Sequence, residues 1–179
     1  MPTRTLKTGQ IELKVDAPQR LFHELDPTPL AGRDLDEAVE SYIIESAREL
    51  RSSHYELLLH LREGGLLPQR REALADSIRA YFSYRREIEN RKLRRLLAEG
   101  RRTLAIGLVF LFFCGVLGVL ASDALPTPVG PFLNQGLLII GWVANWRPVE
   151  IFLHDWQPIR RERDLLGALA QMKVQFLEP

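Results

Sequence analysis

The sequence predicts an α+β membrane protein that is mostly helical: a two-helix transmembrane hairpin plus a small cytoplasmic domain with about three short strands. Three observations predict it. Residues 103–121, TLAIGLVFLFFCGVLGVLA, carry no charge and as a helix would span roughly 28 Å, close to the hydrocarbon thickness of a bilayer. Residues 129–146, VGPFLNQGLLIIGWVANW, form a second uncharged run. Short runs near both ends of the chain alternate apolar and polar residues with the period of two that marks strands.

The elements follow in order. Ile11, Leu13 and Val15 alternate with Glu12 and Lys14, a half-buried strand. Asp16, Pro18 and Gln19 are placed to start a short helix with Leu21, Phe22 and Leu25 as its stripe, stopped by the DPTP run at 26–29. Asp34 with Glu37 has the spacing of a capping box. Leu35, Ala38, Val39, Tyr42, Ile43, Ala47 and Leu50 then recur at helical spacing. Tyr55, Leu57, Leu59 and Leu61 alternate with Glu56, Leu58 and His60, a second strand ended by Gly64-Gly65. Pro68 opens a long helix without a breaker up to Gly100, so residues 68 to about 121 read as one rod. Its early edge is Leu74, Ile78, Tyr81 and Ile88. Near the C-terminus, KVQFL at 173–177 is β-like. It either joins the two earlier strands, closing one domain from both chain ends, or is a free tail, since a lone strand is unstable.

These elements divide the chain into a cytoplasmic α+β domain at 1–67, a basic juxtamembrane helix at 68–102 continuous with transmembrane helix 1 at 103–121, an external loop at 122–130, transmembrane helix 2 at 131–147, and a cytoplasmic helix and strand at 148–179. For the second run, a re-entrant or interfacial segment is the alternative, because it holds Asn134, Gln135 and Asn145. A bend is expected at Pro148.

Charge sets the expected orientation. The formal net charge of +1 over 179 residues points to no acidic or basic partner. Its distribution is uneven. Residues 1–66 hold eight Lys/Arg and twelve Asp/Glu, residues 67–102 eleven and five, and residues 103–179 five and six. Arg94, Arg95, Arg101 and Arg102 precede the first apolar run. Arg147, Arg160, Arg161 and Arg163 follow the second, and residues 122–130 contain no Lys or Arg. The positive-inside rule places both termini in the cytoplasm. Trp142, Trp146 and Trp156 cluster at the inner end of the second run, as an aromatic belt would. Together with Arg94, Arg95, Arg101, Arg102 and Arg147 they are the expected contacts to lipid headgroups or the interface. The first sixteen residues lack the apolar stretch of a cleavable signal peptide. The excess of Arg over Lys fits a GC-rich bacterial genome. Cys114, the single cysteine, lies in the apolar run, which leaves no intrachain disulfide or thiol cluster.

Small residues are the expected packing surface of the hairpin. Cys114, Gly118 and Ser122 stand four apart with Gly115 beside them, and Gly136, Gly141 and Ala144 are their expected partners, because small side chains let helices approach closely in lipid.

Two stretches, LFHELDPTPLAGRDLDEAVESYI at 21–43 and GWVANWRPVEIFLHDWQPIRRE at 141–162, resemble an uncharacterised family of small bacterial inner-membrane proteins with two transmembrane helices. The resemblance spans most of the chain and implies a bacterial inner-membrane location. It implies no catalytic residue.

Chemistry has one weak candidate. Glu150 and His154 are four apart on one helix face, with Asp155 beside them, but two ligands do not make a metal site, and interfacial snorkelling explains the same residues. His23, His54 and His60 show no metal spacing. There is no phosphate loop, dinucleotide fingerprint or nucleophile elbow. No metal or cofactor is expected. The basic stretch at 85–102 is assigned to topology and membrane lipids rather than nucleic acid, because Tyr81, Phe82 and Tyr84 lie outside it. The expectation is a membrane-anchored interaction or accessory protein, not an enzyme, whose partner is lipid, another membrane protein, or itself as a homo-oligomer. The alternatives are a membrane-interface enzyme acting on a lipid-like substrate and a subunit of an oligomeric transporter.

Overall fold

The computed structural model describes residues 9–15, 18–22, 34–61 and 67–177. The elements are β1 (Gln10–Val15), a 3-10 turn (Pro18–Leu21), α1 (Glu37–Leu50), β2 (Glu56–Leu61), α2 (Pro68–Ala124), α3 (Val129–Val143), α4 (Trp146–Glu150), a π-helical turn (Ile151–Asp155), α5 (Trp156–Leu169) and β3 (Lys173–Leu177). The chain is mostly helical, with one three-stranded sheet and two helical arms long and apolar enough to cross a membrane. It divides into two compact units, residues 1–89 with 161–179, and residues 90–160.

The first unit is built on a fully parallel sheet of order β1-β2-β3. β2 is central, which explains a departure from simple alternation. Leu57 and Leu59 are wholly buried on one face, and Leu58 on the other is only 4% exposed, because a central parallel strand is covered on both sides. Val174 and Phe176 of β3 lie against the core while Lys173 and Gln175 are exposed. Glu56 ties the three strands together on the far face. Its carboxylate accepts from Gln10 Nε2 at 2.7 Å and from Gln175 Nε2.

One core gathers Ile11, Leu57 and Leu59 from the sheet, Ile43 and Ala47 from α1, Leu74, Ile78 and Phe82 from α2, and Leu166 and Leu169 from α5. The α1 stripe is rotated from the expected one. Ile44 is buried in place of Ala38 and Tyr42, and Tyr42 is 46% exposed with its hydroxyl donating to Glu12 O. The α1 cap is Asp36, not Asp34: Asp36 Oδ1 accepts from Ala38 N at 3.0 Å. The bridge Phe22–Leu35 and the bond from Asp36 N to Leu21 O at 2.9 Å hold Leu35 extended, so the helix begins after Asp36. Glu40 links α1 to α2, accepting from the Tyr81 hydroxyl at 2.6 Å with Arg85 Nη2 2.8 Å from its other oxygen. Burial first, then the Glu40 carboxylate, raise the pKa of Tyr81, so it is a permanent donor here. The expected helix after Asp16 is a four-residue 3-10 turn where described. Asp16, His23, Leu25, residues 26–29 and Gly64-Gly65 lie outside the described residues.

Among the described residues, two backbone positions have positive φ. Gly9 has φ +95°, and a Cβ there would overlap His54 O. Arg51 ends α1 at φ 46°, ψ 39°, with its N–H donating to Ala47 O, a conformation that favours glycine. Arg51→Gly should therefore stabilise the protein by about 0.5–1 kcal/mol, whereas Gly9→Ala should destabilise it. Thermal unfolding of the two variants checks the contrast, and an Arg51→Gly variant less stable than the parent would contradict it.

Candidate functional site

The second unit pairs α2 beyond residue 89 with the arm formed by α3, α4 and the π-helical turn, and its contacts follow from where side chains are small. On α2 the buried positions Leu93, Gly100, Gly107 and Cys114 recur every seven residues, with Gly118 four further on. That is the repeat of a helix seam packed in the 3-4 manner. Each glycine admits a specific neighbour. A Cβ at Gly118 would lie 3.1 Å from Asn134 Cα, and one at Gly100 would lie 2.9 Å from Ile151 Cγ2. From the other arm, a Cβ at Gly141 would lie 2.7 Å from Leu111 Cδ1, and one at Gly130 would lie 2.9 Å from Ser122 Cα. Of the residues expected in this seam, Cys114, Gly118 and Gly141 are in it. Gly115 is half-buried with only Leu138 at 4.0 Å, Gly136 faces open space, and Ala144 is exposed.

Asn145 holds the seam where sequence alone placed only a tolerated polar residue. It is 6% exposed, and its Nδ2 donates to Gly107 O at 3.1 Å and to Gly141 O at 2.9 Å. The backbone explains the second bond. Asn145 N bonds to Trp142 O instead of continuing the α-helical ladder, and the side-chain amide supplies the donor that Gly141 O would otherwise lose. Asn145 Oδ1 has no hydrogen-bond partner and lies against Gly107, where a Cβ would come within 2.5 Å of it.

Prolines cut this arm into segments. Pro131, Pro148 and Pro158 each occupy the third position of a helix, in α3, α4 and α5 respectively. At Pro131 and Pro148 the missing N–H falls in a first turn and loses no hydrogen bond, whereas Pro158 stands just after the π-helical turn and removes a donor there; each ring disfavours a helical carbonyl four residues earlier. The expected bend at Pro148 is thus displaced to Ala144–Asn145, and Pro158 accounts for the π-helical turn ahead of α5. The connection between the arms is shorter than the expected loop at 122–130: α2 runs to Ala124 and α3 begins at Val129.

The polar cluster that follows is a charge-compensated surface. Arg147 Nη1 lies 2.9 Å from Asp155 Oδ2 and 3.3 Å from Glu150 Oε2. Trp146 Nε1 donates to Glu150 Oε1 at 2.9 Å, and Trp156 Nε1 donates to Phe152 O at 2.8 Å. The Arg160 guanidinium sits 5.5 Å from the Trp156 ring centroid. His154 is exposed and takes no part, so the Glu150–His154 pairing anticipated from spacing does not form. Among the described residues, no group of three His, Cys, Asp or Glu side chains is placed to hold a metal. Trp142 is 68% exposed. Arg94, Arg95, Arg101 and Arg102 are all exposed on α2.

In the first unit, a groove of about 390 Å³ opens at the amino ends of the strands, lined by Gln10, Ser53, His54, Glu56, Gln171 and Lys173 among others. Ser53 Oγ is 2.9 Å from His54 Nδ1, and both residues are exposed. Open α/β sheets bind ligands at the carboxyl ends of their strands, so this groove lies at the other end.

The seam makes a graded prediction. Gly107→Leu and Gly118→Leu should destabilise the protein in detergent by roughly 1–3 kcal/mol through overpacking, while Gly136→Leu should be close to neutral. Asn145→Ala should cost about 1 kcal/mol, from two bonds of roughly 0.6 kcal/mol each. Equal thermal shifts for Gly118→Leu and Gly136→Leu would contradict this packing.

No family model, no curated protein and no solved structure matches this chain.

Proposed function

We propose that the chain is an integral protein of the bacterial inner membrane that crosses the bilayer twice and keeps the segments before and after the hairpin in the cytoplasm. It acts by binding, as a membrane-anchored interaction or accessory protein. The observation that carries this reading is an uncovered apolar surface. Ten large apolar side chains at 106–120 and eight at 129–143 are exposed. Only 17% of the most apolar window of α2 and 22% of that in the second arm are buried, unlike the core helix of a water-soluble protein. Burying such a side chain contributes roughly 1.5–3 kcal/mol. Leaving eighteen half in water would cost more than the 5–15 kcal/mol that stabilises a typical domain. A bilayer removes that cost.

The sheet supports the orientation. β2 precedes the hairpin, β3 follows it, and the two pair in parallel. Two strands of one sheet share a compartment, so the excursion between them crosses the bilayer an even number of times. The arginine asymmetry favours the cytoplasm as that compartment, and the family resemblance at 21–43 and 141–162 supports a bacterial inner membrane. The small sheet domain is then the part that meets a partner. An interface enzyme using Glu150, His154 and Asp155 is disfavoured, because Arg147 engages both carboxylates and His154 stands apart.

Reporters fused before Met1 and after Pro179 should both report cytoplasm, and in a Cys114→Ser background a cysteine replacing Asp123 should be labelled from the periplasm. A C-terminal reporter active only in the periplasm would contradict the reading. Glu150→Ala and His154→Ala should leave any phenotype intact at normal protein level.

A further inference from the structure

The four exposed arginines on α2 share one side of the helix. Seven residues are nearly two turns, so Arg94 stacks over Arg101 and Arg95 over Arg102, about 10 Å apart along the axis. Among the described residues none of the four has a hydrogen-bond or ion-pair partner. Glu99 is the one acidic residue between them and pairs with none of them. Another side of the helix at this level is packed, with Leu93 and Gly100 buried and Gly100 against Ile151 and Phe152.

The second arm supplies the contrast and the depth. Its Arg147 is compensated by Glu150 and Asp155, and Arg160 of α5 lies over Trp156, whereas the α2 side carries four arginines together. Asn145 meets α2 at Gly107 and Ile151 meets it at Gly100, and between them the Trp146 indole is 66% exposed. Exposed indoles settle at the level of lipid headgroups. Arg101 and Arg102 are therefore at phosphate level, with Arg94 and Arg95 about one Debye length further out. Guanidinium forks match phosphate oxygens in geometry and charge. Of the aromatics ahead of the basic stretch, Tyr81 and Phe82 are buried at 8% and 0% exposure, and the exposed Tyr84 stands ten residues before Arg94, roughly 15 Å along the helix axis.

We propose that the Arg94, Arg95, Arg101 and Arg102 face of α2 binds anionic phospholipid headgroups and selects them over zwitterionic ones. This rests on the membrane reading above. The test is the association of spin-labelled phosphatidylglycerol, relative to spin-labelled phosphatidylcholine, with the full chain in phosphatidylcholine vesicles. The parent should prefer phosphatidylglycerol. Arg101→Gln with Arg102→Gln should lower the relative association constant roughly fivefold or more, the ratio equivalent to about 1 kcal/mol. The same four positions changed to Lys should keep the preference. Equal association of both lipids with the parent would overturn the inference, as would a preference that survives substitution of all four arginines by Gln. Displacement of bound phosphatidylglycerol by an oligonucleotide would also overturn it, in favour of nucleic acid. A chain that alkaline carbonate extracts from the vesicles would contradict the membrane reading itself, whereas an inserted chain without lipid preference contradicts this inference alone.

Discussion

The parallel pairing of β2 with β3 is the constraint on which the rest of this chain depends. An antiparallel partner can be reached by a two-residue turn, but a parallel one needs a crossover that returns the chain to the end of the sheet where it started. Here that crossover is everything from α2 to α5, and Glu56 and Gln175, joined across the strands, are 119 residues apart. Closing a flexible loop of that length costs about 4 kcal/mol in its length-dependent part alone. Two antiparallel helical arms shorten the effective loop, so a formed hairpin lowers the cost of adding β3. A single crossing could not do this, because it would leave β3 on the far side of a bilayer.

The hairpin meets its own constraint with small residues and one amide. In the bilayer proposed for it, apolar side chains gain little by leaving the solvent for each other, so close backbone contact and polar pairing become the main sources of attraction. Gly107 serves both. It has no side chain to hold Asn145 away, and its carbonyl accepts from Asn145 Nδ2. Gly141 is used in the same double way, against Leu111 and as the second acceptor. The amide therefore fixes the register of the arms at the place where the second helix breaks.

How much of this was legible in the sequence depends on whether the deciding contact is local. The three strands, the 57-residue α2 and the two apolar arms follow from periodicity and the absence of breakers, and are near where those signals put them. The rotated stripe of α1 was hidden because Ala38, Tyr42 and Ile44 are all apolar enough to fit, and Tyr42 is drawn outward by a bond to Glu12 O in another element. Leu58 reads as an outward residue until β2 is known to be central. On the hairpin, spacing four identified Cys114 and Gly118, but the seven-residue repeat back to Gly107 and Gly100 was the stronger signal. Gly136 failed because it stands five residues from Gly141, about 140° round the same helix, and Ala144 because it falls where the arm breaks. Glu150 and His154 share a helix face in an ideal helix, yet Arg147 draws Glu150 to itself.

Hydrogen exchange with the protein in lipid nanodiscs tests the central constraint most directly. If β3 is the third strand of the sheet, the amides of Lys173–Leu177 should be protected to a degree comparable to those of Glu56–Leu61 and should lose protection together with them as denaturant is added. Exchange of residues 173–177 at the rate of a free tail, while Glu56–Leu61 stays protected, would contradict the closure of the sheet across the hairpin and, with it, the argument that the excursion must cross an even number of times.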